Sequence, residues 1–195
     1  MLFRSRVLYH GHDVYGGGVD RVEVRRRIGM VFQGGALFDS MDVFENVAYP
    51  LREHTDWDEP KIADRVREVL GYVDLRGIEP KMPADLSGGM RKRVALARAV
   101  ALSPEGILYD EPTTGLDPVT ANTINDMILS LRKRLNVTSV VVTHDLGSTE
   151  RISDRLAFLH EGVVRFVGTL EEARRSGDEV LLHFLRGEDL REAAS

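Results

Sequence analysis

A glycine turn, a helix, a short strand and two adjacent carboxylates follow one another without a break over residues 86–118, LSGGMRKRVALARAVALSPEGILYDEPTTGLDP. Few folds accommodate that order. Ser87, Gly88 and Gly89 carry almost no side-chain bulk, so their backbone N–H groups can come close to a ligand. Residues 90–102 follow at once, and their alanines, leucines and arginines favour helix. Open amides at a helix N-terminus form an anion site, with phosphate as the usual anion. Ile107, Leu108 and Tyr109 then read as a buried strand too short to be a helix. Asp110 and Glu111 emerge at its C-terminal end, the edge where open α/β sheets hold their ligands. One carboxylate at such a point can hold Mg²⁺ through water, while its neighbour orients or deprotonates an attacking water. Pro112 keeps the strand from continuing as a central one. Alone, an SGG is an ordinary turn and a DE pair an ordinary solvated surface; joined in this order and at this spacing they are far more specific.

The remaining chain reads as further pieces of the same sheet with helices between them. Residues 6–9 alternate weakly before the turn at His10–His12, which predicts a short surface hairpin with solvated histidines. Residues 27–33 give the first core strand, with Ile28, Met30, Val31 and Phe32 apolar and Gln33 at its end. Asp42 has Glu45 three residues on, in capping-box spacing, and Val43, Val47 and Leu51 share one helix face. Pro50 predicts a kink or an early end to that helix. Ile62, Val66, Val69 and Leu70 mark a second helix over residues 57–72. Pro118 can open a helix at its first position, with Ile124, Met127, Ile128 and Leu131 on one side. Residues 138–143, TSVVVT, are mostly β-branched with an apolar run over residues 140–142, read as a parallel strand buried on both faces, and His144 follows. Two strands flank the turn at Glu161 and Gly162, and residues 169–195 read as short charged helices that fray, without a motif.

Read together, LSGG at Leu86–Gly89, the strand ending in Asp110, Glu111 and Pro112, the GLD of Gly115–Asp117 and the TH of Thr143 and His144 strongly resemble the nucleotide-binding domain of ABC transporters. Gln33 resembles the same family's Q-loop glutamine, and the resemblance runs over residues 6–168. The wording GALF…VFENVAYPLREHT looks like the ATPases of Mla/MCE-type lipid transporters. The resemblance implies a RecA-like, ABC-type P-loop NTPase sheet in a single domain over residues 1–195, with a helical subdomain inserted at about 34–102. It implies ATP and Mg²⁺ as ligands. Asp110 and Gln33 would then hold Mg²⁺, Glu111 would serve as general base, and His144 would hold the γ-phosphate. Ser87, Gly88 and Gly89 would bind the γ-phosphate of the opposite subunit in a head-to-tail dimer, and Asp117 would couple the two sites. The implied partners are a second ATPase subunit, a membrane permease, MCE-type proteins and small regulatory subunits, at the cytoplasmic face of the inner membrane.

One expected part is not found. The sequence GxxxxGK[ST] does not occur among the 195 residues, and none of Lys61, Lys81, Lys92 and Lys133 follows a glycine. Gly16–Gly18 lack the Lys and Ser/Thr that a phosphate loop requires. The resemblance begins at the strand that lies beyond the phosphate-loop helix. It therefore implies that the first strand, phosphate loop and first helix are missing ahead of it, and that this chain alone hydrolyses ATP poorly or not at all. Met1–Ser5 takes no part in the resemblance. A non-catalytic partner that lends its SGG turn to a complete ATPase is the second reading, opposed by the retained Asp110, Glu111 and His144. A DNA- or ribosome-directed ATPase is the third, opposed by the short interval between Gln33 and Ser87 and by the single motif set.

Composition narrows the field further. With 26 basic and 31 acidic residues the net charge is -5, so there is no general attraction to nucleic acid. Arg25–Arg27 and Arg91–Arg93 are read as solvated helix faces or strand ends. The absence of cysteine excludes disulfides and Cys-based metal sites, and no apolar run reaches membrane-spanning length.

Overall fold

The computed structural model describes residues 6–188, so the readings made for residues 1–5 and 189–195 lie outside it. The backbone separates into two compact units, Met1–Val142 and Thr143–Ser195.

In the first unit, β1 (Leu8–Tyr9) and β2 (His12–Asp13) form the expected antiparallel hairpin. The arginines of residues 25–27 close a helix, α1 (Arg21–Arg27), whose N-cap Asp20 accepts the Val22 N–H at 2.8 Å. The chain passes directly from α1 into β3 (Ile28–Val31), which is shorter than the sequence predicts. Next come α2 (Val43–His54) and α3 (Glu59–Tyr72), each started by an aspartate at the N-cap. Asp42 accepts the Glu45 N–H at 2.8 Å, and Val43, Val47 and Leu51 are wholly buried as expected. Pro50 does not end α2, which continues to His54. The signature helix α4 (Gly88–Val100) leads to β4 (Gly106–Asp110), and α5 (Pro118–Leu135) leads to β5 (Thr138–Val142).

β3, β4 and β5 make a parallel sheet in that order, with Met30 opposite Leu108 and Leu108 opposite Val140. α4 packs against the face that carries Gly29, where an added Cβ would lie 2.5 Å from the Ala99 carbonyl oxygen. Ile107 and Tyr109 are buried on that same side. The other side differs from the expectation of strands buried on both faces. Met30 is 42% exposed, Leu108 39%, Val140 53% and Val142 59%. The apolar run of β5 over residues 140–142 therefore reflects one packed and one open face, a distinction that composition does not carry.

Glu105, just before β4, ties the hairpin to α1. Its carboxylate accepts from the Tyr9 hydroxyl at 2.6 Å and from Arg27 at 2.6 Å, and lies 2.9 Å from the His10 ring. These partners, Tyr9 foremost, hold its pKa down at about 2, against an ordinary value of 4.5. A depressed folded-state pKa means that the stabilisation is complete above 4.5 and is lost as pH falls through about 2. The group is solvent-exposed and screened, so the effect on stability is modest. The melting temperature of the protein should fall more steeply below about pH 4.5 than that of Glu105→Gln, and parallel acid limbs in the two melting curves would remove this role.

The second unit contains α6 (Leu146–Ile152) and the antiparallel pair β6 (Leu156–His160) and β7 (Val163–Gly168). The predicted turn is present: Glu161 and Gly162 have φ of 50° and 77°, the paired left-handed conformation of a tight hairpin. α7 (Leu170–Arg174) and α8 (Glu179–Arg186) follow. They are not merely fraying charged helices, because Ala173, Val180 and Leu181 are buried with Phe158 in a small core. Among the described residues no helix is long and apolar enough to cross a membrane.

Candidate functional site

Parallel β3 and β4 end at the same edge of the sheet, and Val31 is the register partner of Tyr109. Gln33 and Glu111 each lie two residues beyond this last pair. The Lys92 ammonium spans them, donating to the Gln33 carbonyl and, at 3.2 Å, to the Glu111 carbonyl. Asp110 is the last residue of β4 and is half-buried, whereas Gln33 is exposed. Three of the predicted residues are thus gathered on one edge: Gln33, Asp110 and Glu111.

Glu111 has φ of 47°, a left-handed backbone that non-glycine residues seldom adopt. Its N–H donates to Val142 at 2.9 Å, which ties the turn to β5, and the Thr114 hydroxyl donates to its Oε2 at 2.9 Å. Backbone strain of this kind collects where the direction of a side chain matters for function. The donor set also suits Mg²⁺. That ion takes one or two protein oxygens and keeps water and phosphate oxygens, and the Asp110 carboxylate stands at the end of β4 to offer such an oxygen.

A second group forms at the start of α4. Ser87 is the N-cap, with its Oγ accepting the Met90 N–H at 3.2 Å, and Gly88 and Gly89 are the first two helical residues. Their amides point along the helix axis with no partner available in the preceding turn. Gly88 faces Leu116, and a Cβ on Gly89 would lie only 2.8 Å from Thr120 Cγ2. Thr120 is held in turn by Asp117, whose Oδ2 accepts its hydroxyl at 2.5 Å and whose Oδ1 accepts the Val119 and Thr120 amides, each at 3.0 Å. Asp117 is therefore the N-cap of α5, and these bonds, the Thr120 hydroxyl first, lower its pKa. The structure joins Gly88, Gly89 and Asp117 into one cluster. His144 belongs to the second unit, where it precedes Asp145, the N-cap of α6.

Four residues at these sites escaped the sequence reading. Lys92 and the arginines on either side were read as a solvated group, yet Lys92 is only 6% exposed. Arg98 donates to the Gly35 and Ala36 carbonyls at 2.8 Å each, fixing the loop after Gln33. Asn46 is fully buried, and its Nδ2 donates to the carbonyls of Phe38, Met41 and Asp42. Thr120 joins the glycine turn to Asp117. Helical spacing was a usable signal for Lys92, since it lies on the same face of α4 as Ala95 and Leu96, which are buried.

The family model described as ABC transporter matches residues 4–114. The intermembrane phospholipid transport system ATP-binding protein MlaF of Haemophilus influenzae is 42% identical over 95% of this chain, which spans 70% of that protein. MlaF of Escherichia coli K12 is 41% identical over 94% of this chain and 68% of its own length. A protein of Mycobacterium bovis named probable ribonucleotide transport ATP-binding protein mkl is 38% identical over 94% of this chain, which spans about half of it, 52%. Among solved structures, the dimeric post-hydrolysis state of the ATP-binding cassette MJ0796 bound to ADP and Pi superposes with a TM-score of 0.73. It is 32% identical, and the match covers 83% of this chain and 72% of that one.

Proposed function

This chain belongs to the ATP-binding subunits of ABC transporters, and from that premise we propose that it drives phospholipid trafficking in the cell envelope by binding and hydrolysing ATP against a membrane permease. The observation that carries the chemistry is the meeting of Gln33, Asp110 and Glu111 at one sheet edge, with Glu111 in a strained backbone. Glu111 accepts the proton of the attacking water. Thr114 steadies its carboxylate. Asp110 and the Gln33 side chain would hold Mg²⁺. When bound, that ion supplies charge neutralisation to the phosphates. His144 contacts the γ-phosphate. Ser87 and the amides of Gly88 and Gly89 bind the γ-phosphate held by a second ATPase subunit, and Asp117 relays between the two sites. Since no GxxxxGK[ST] occurs in these 195 residues, the cradle for the β- and γ-phosphates comes from outside them, and the residues alone turn over ATP poorly or not at all.

The permease docks beside the Gln33 loop. A groove of about 460 Å³ lies there, lined by Phe32, Phe38, Tyr49, Pro50 and Arg98 among others. Exposed aromatic rings around an arginine suit a short cytoplasmic loop of a membrane protein, which brings an apolar anchor with a polar rim. Docking at this groove sets the subunit at the cytoplasmic face of the inner membrane, and MCE-type and small regulatory subunits complete the assembly.

Cargo is tested by reconstituting the protein with its co-purifying permease in liposomes and measuring ATP hydrolysis. Turnover that rises with added phospholipid supports the reading. Turnover that responds to ribonucleotides and ignores phospholipid would replace it with the activity named for the mycobacterial relatives.

A further inference from the structure

A buried cation sits between the two loops that carry the proposed chemistry, and it donates to a backbone carbonyl of each. Lys92 is 6% exposed and donates to the carbonyls of Gln33 and Glu111. Hiding an ammonium is costly unless hydrogen bonds compensate, and burial does lower its pKa, with Glu111 and Asp110 acting in the opposite direction. The two carbonyls explain the location. The β3–β4 ladder ends at the pair Val31 and Tyr109, so backbone acceptors beyond it need other donors. Lys92 supplies them where the strands have ceased to pair.

We propose that Lys92 is a positioning residue, one that sets the spacing of the Gln33 and Glu111 backbones and links both to the helix bearing Gly88 and Gly89. The proposal rests on the roles given above to Gln33 and Glu111. Lys92 lies less than two turns along α4 from the N-cap Ser87, so any displacement of the glycine turn reaches both loops through one rigid element. Arg98, further along α4, holds only the Gln33 side, through the Gly35 and Ala36 carbonyls. A shift of α4 when its amides meet a phosphate therefore moves the base and the glutamine together.

The test compares Lys92→Met, Lys92→Gln and Arg98→Met with the unmodified protein and Glu111→Gln, each assembled with the permease. Hydrogen exchange is read at residues 33–36 and 111–114. Lys92→Met should speed exchange in both segments by about tenfold while α2 is unchanged, and Arg98→Met should speed only the first. Lys92→Met should also lower kcat by about 10- to 100-fold with KM within about threefold. Lys92→Gln, which restores an N–H donor in a smaller side chain, should recover about a third or more of the lost rate and protection. If Lys92→Met does not fold, the same readings on Lys92→Gln and Arg98→Met decide. Exchange unchanged in both segments overturns the proposal whatever the activity, as does a folded Lys92→Gln that behaves like Lys92→Met. Wild-type turnover that survives Glu111→Gln instead removes the underlying reading of the base, which separates the two failures.

Discussion

Glu111→Gln is expected to lower ATP turnover by about 10²- to 10⁴-fold in the assembled transporter while leaving nucleotide bound, because the amide keeps the size of the carboxylate and cannot take a proton. The substitution keeps the backbone ties of this turn. The Glu111 backbone bonds through its N–H to Val142 and through its carbonyl to Lys92, and neither bond uses the side chain. The Thr114 hydroxyl, which donates to Glu111 Oε2 at 2.9 Å, can still donate to the amide oxygen. Loss of turnover without loss of folding is therefore the expected pattern. It is measured by phosphate release together with the nucleotide retained on the purified complex. Hydrolysis within about twofold of the unmodified rate would strip Glu111 of its role as base and shift that role to the neighbouring Asp110 carboxylate.

Legibility divided along a physical line. Elements whose formation is governed by local chemistry were visible in the sequence: the aspartate cap of α2, the helix that follows the glycine turn, the proline opening α5, and the turn at Glu161 and Gly162. The site carboxylates were visible because a short apolar strand ending in Asp110 and Glu111 follows the SGG turn and its helix in one unbroken order. What stayed hidden depends on packing between segments distant in sequence. Lys92 looks like any helical lysine until β3 and β4 are placed beside α4. The buried Asn46 looks like a helix residue until the loop over residues 38–42 folds onto it. The open face of the sheet was misread for the same reason, since Val140 and Val142 carry identical chemistry whether covered or not. Asp117 shows the opposite case. Its family role as a coupling residue was read from the motif, while the structure shows the carboxylate already engaged by Val119 and Thr120. Any relay through Asp117 must therefore move α5 as well.

That engagement makes Gly89→Ala the most informative change in the signature turn. A Cβ at residue 89 would lie 2.8 Å from Thr120 Cγ2, nearer than real carbon contacts permit. Thr120 cannot yield by rotating its side chain, because its hydroxyl is bonded to Asp117 Oδ2 at 2.5 Å and rotation would break that bond. The methyl must therefore push α4 and α5 apart and turn the Gly88 and Gly89 amides away from their anion. Loss of one positioned donor already costs about 10²- to 10³-fold in rate, so a fall of about 10²-fold in the assembled transporter is expected, with the fold retained. Thr120→Ser removes the obstructing methyl and keeps the hydroxyl for Asp117. Alone it should change turnover by less than about twofold, and combined with Gly89→Ala it should restore most of the lost rate, giving a coupling energy of about 2 kcal/mol in the double-mutant cycle. A double mutant as inactive as Gly89→Ala alone would mean that the glycine is required by the phosphate itself, whose approach to the backbone a Cβ blocks directly. Rescue by serine would instead assign the glycine to the seam between α4 and α5, so that nucleotide binding at Gly88 and Gly89 and the position of Asp117 are mechanically one event.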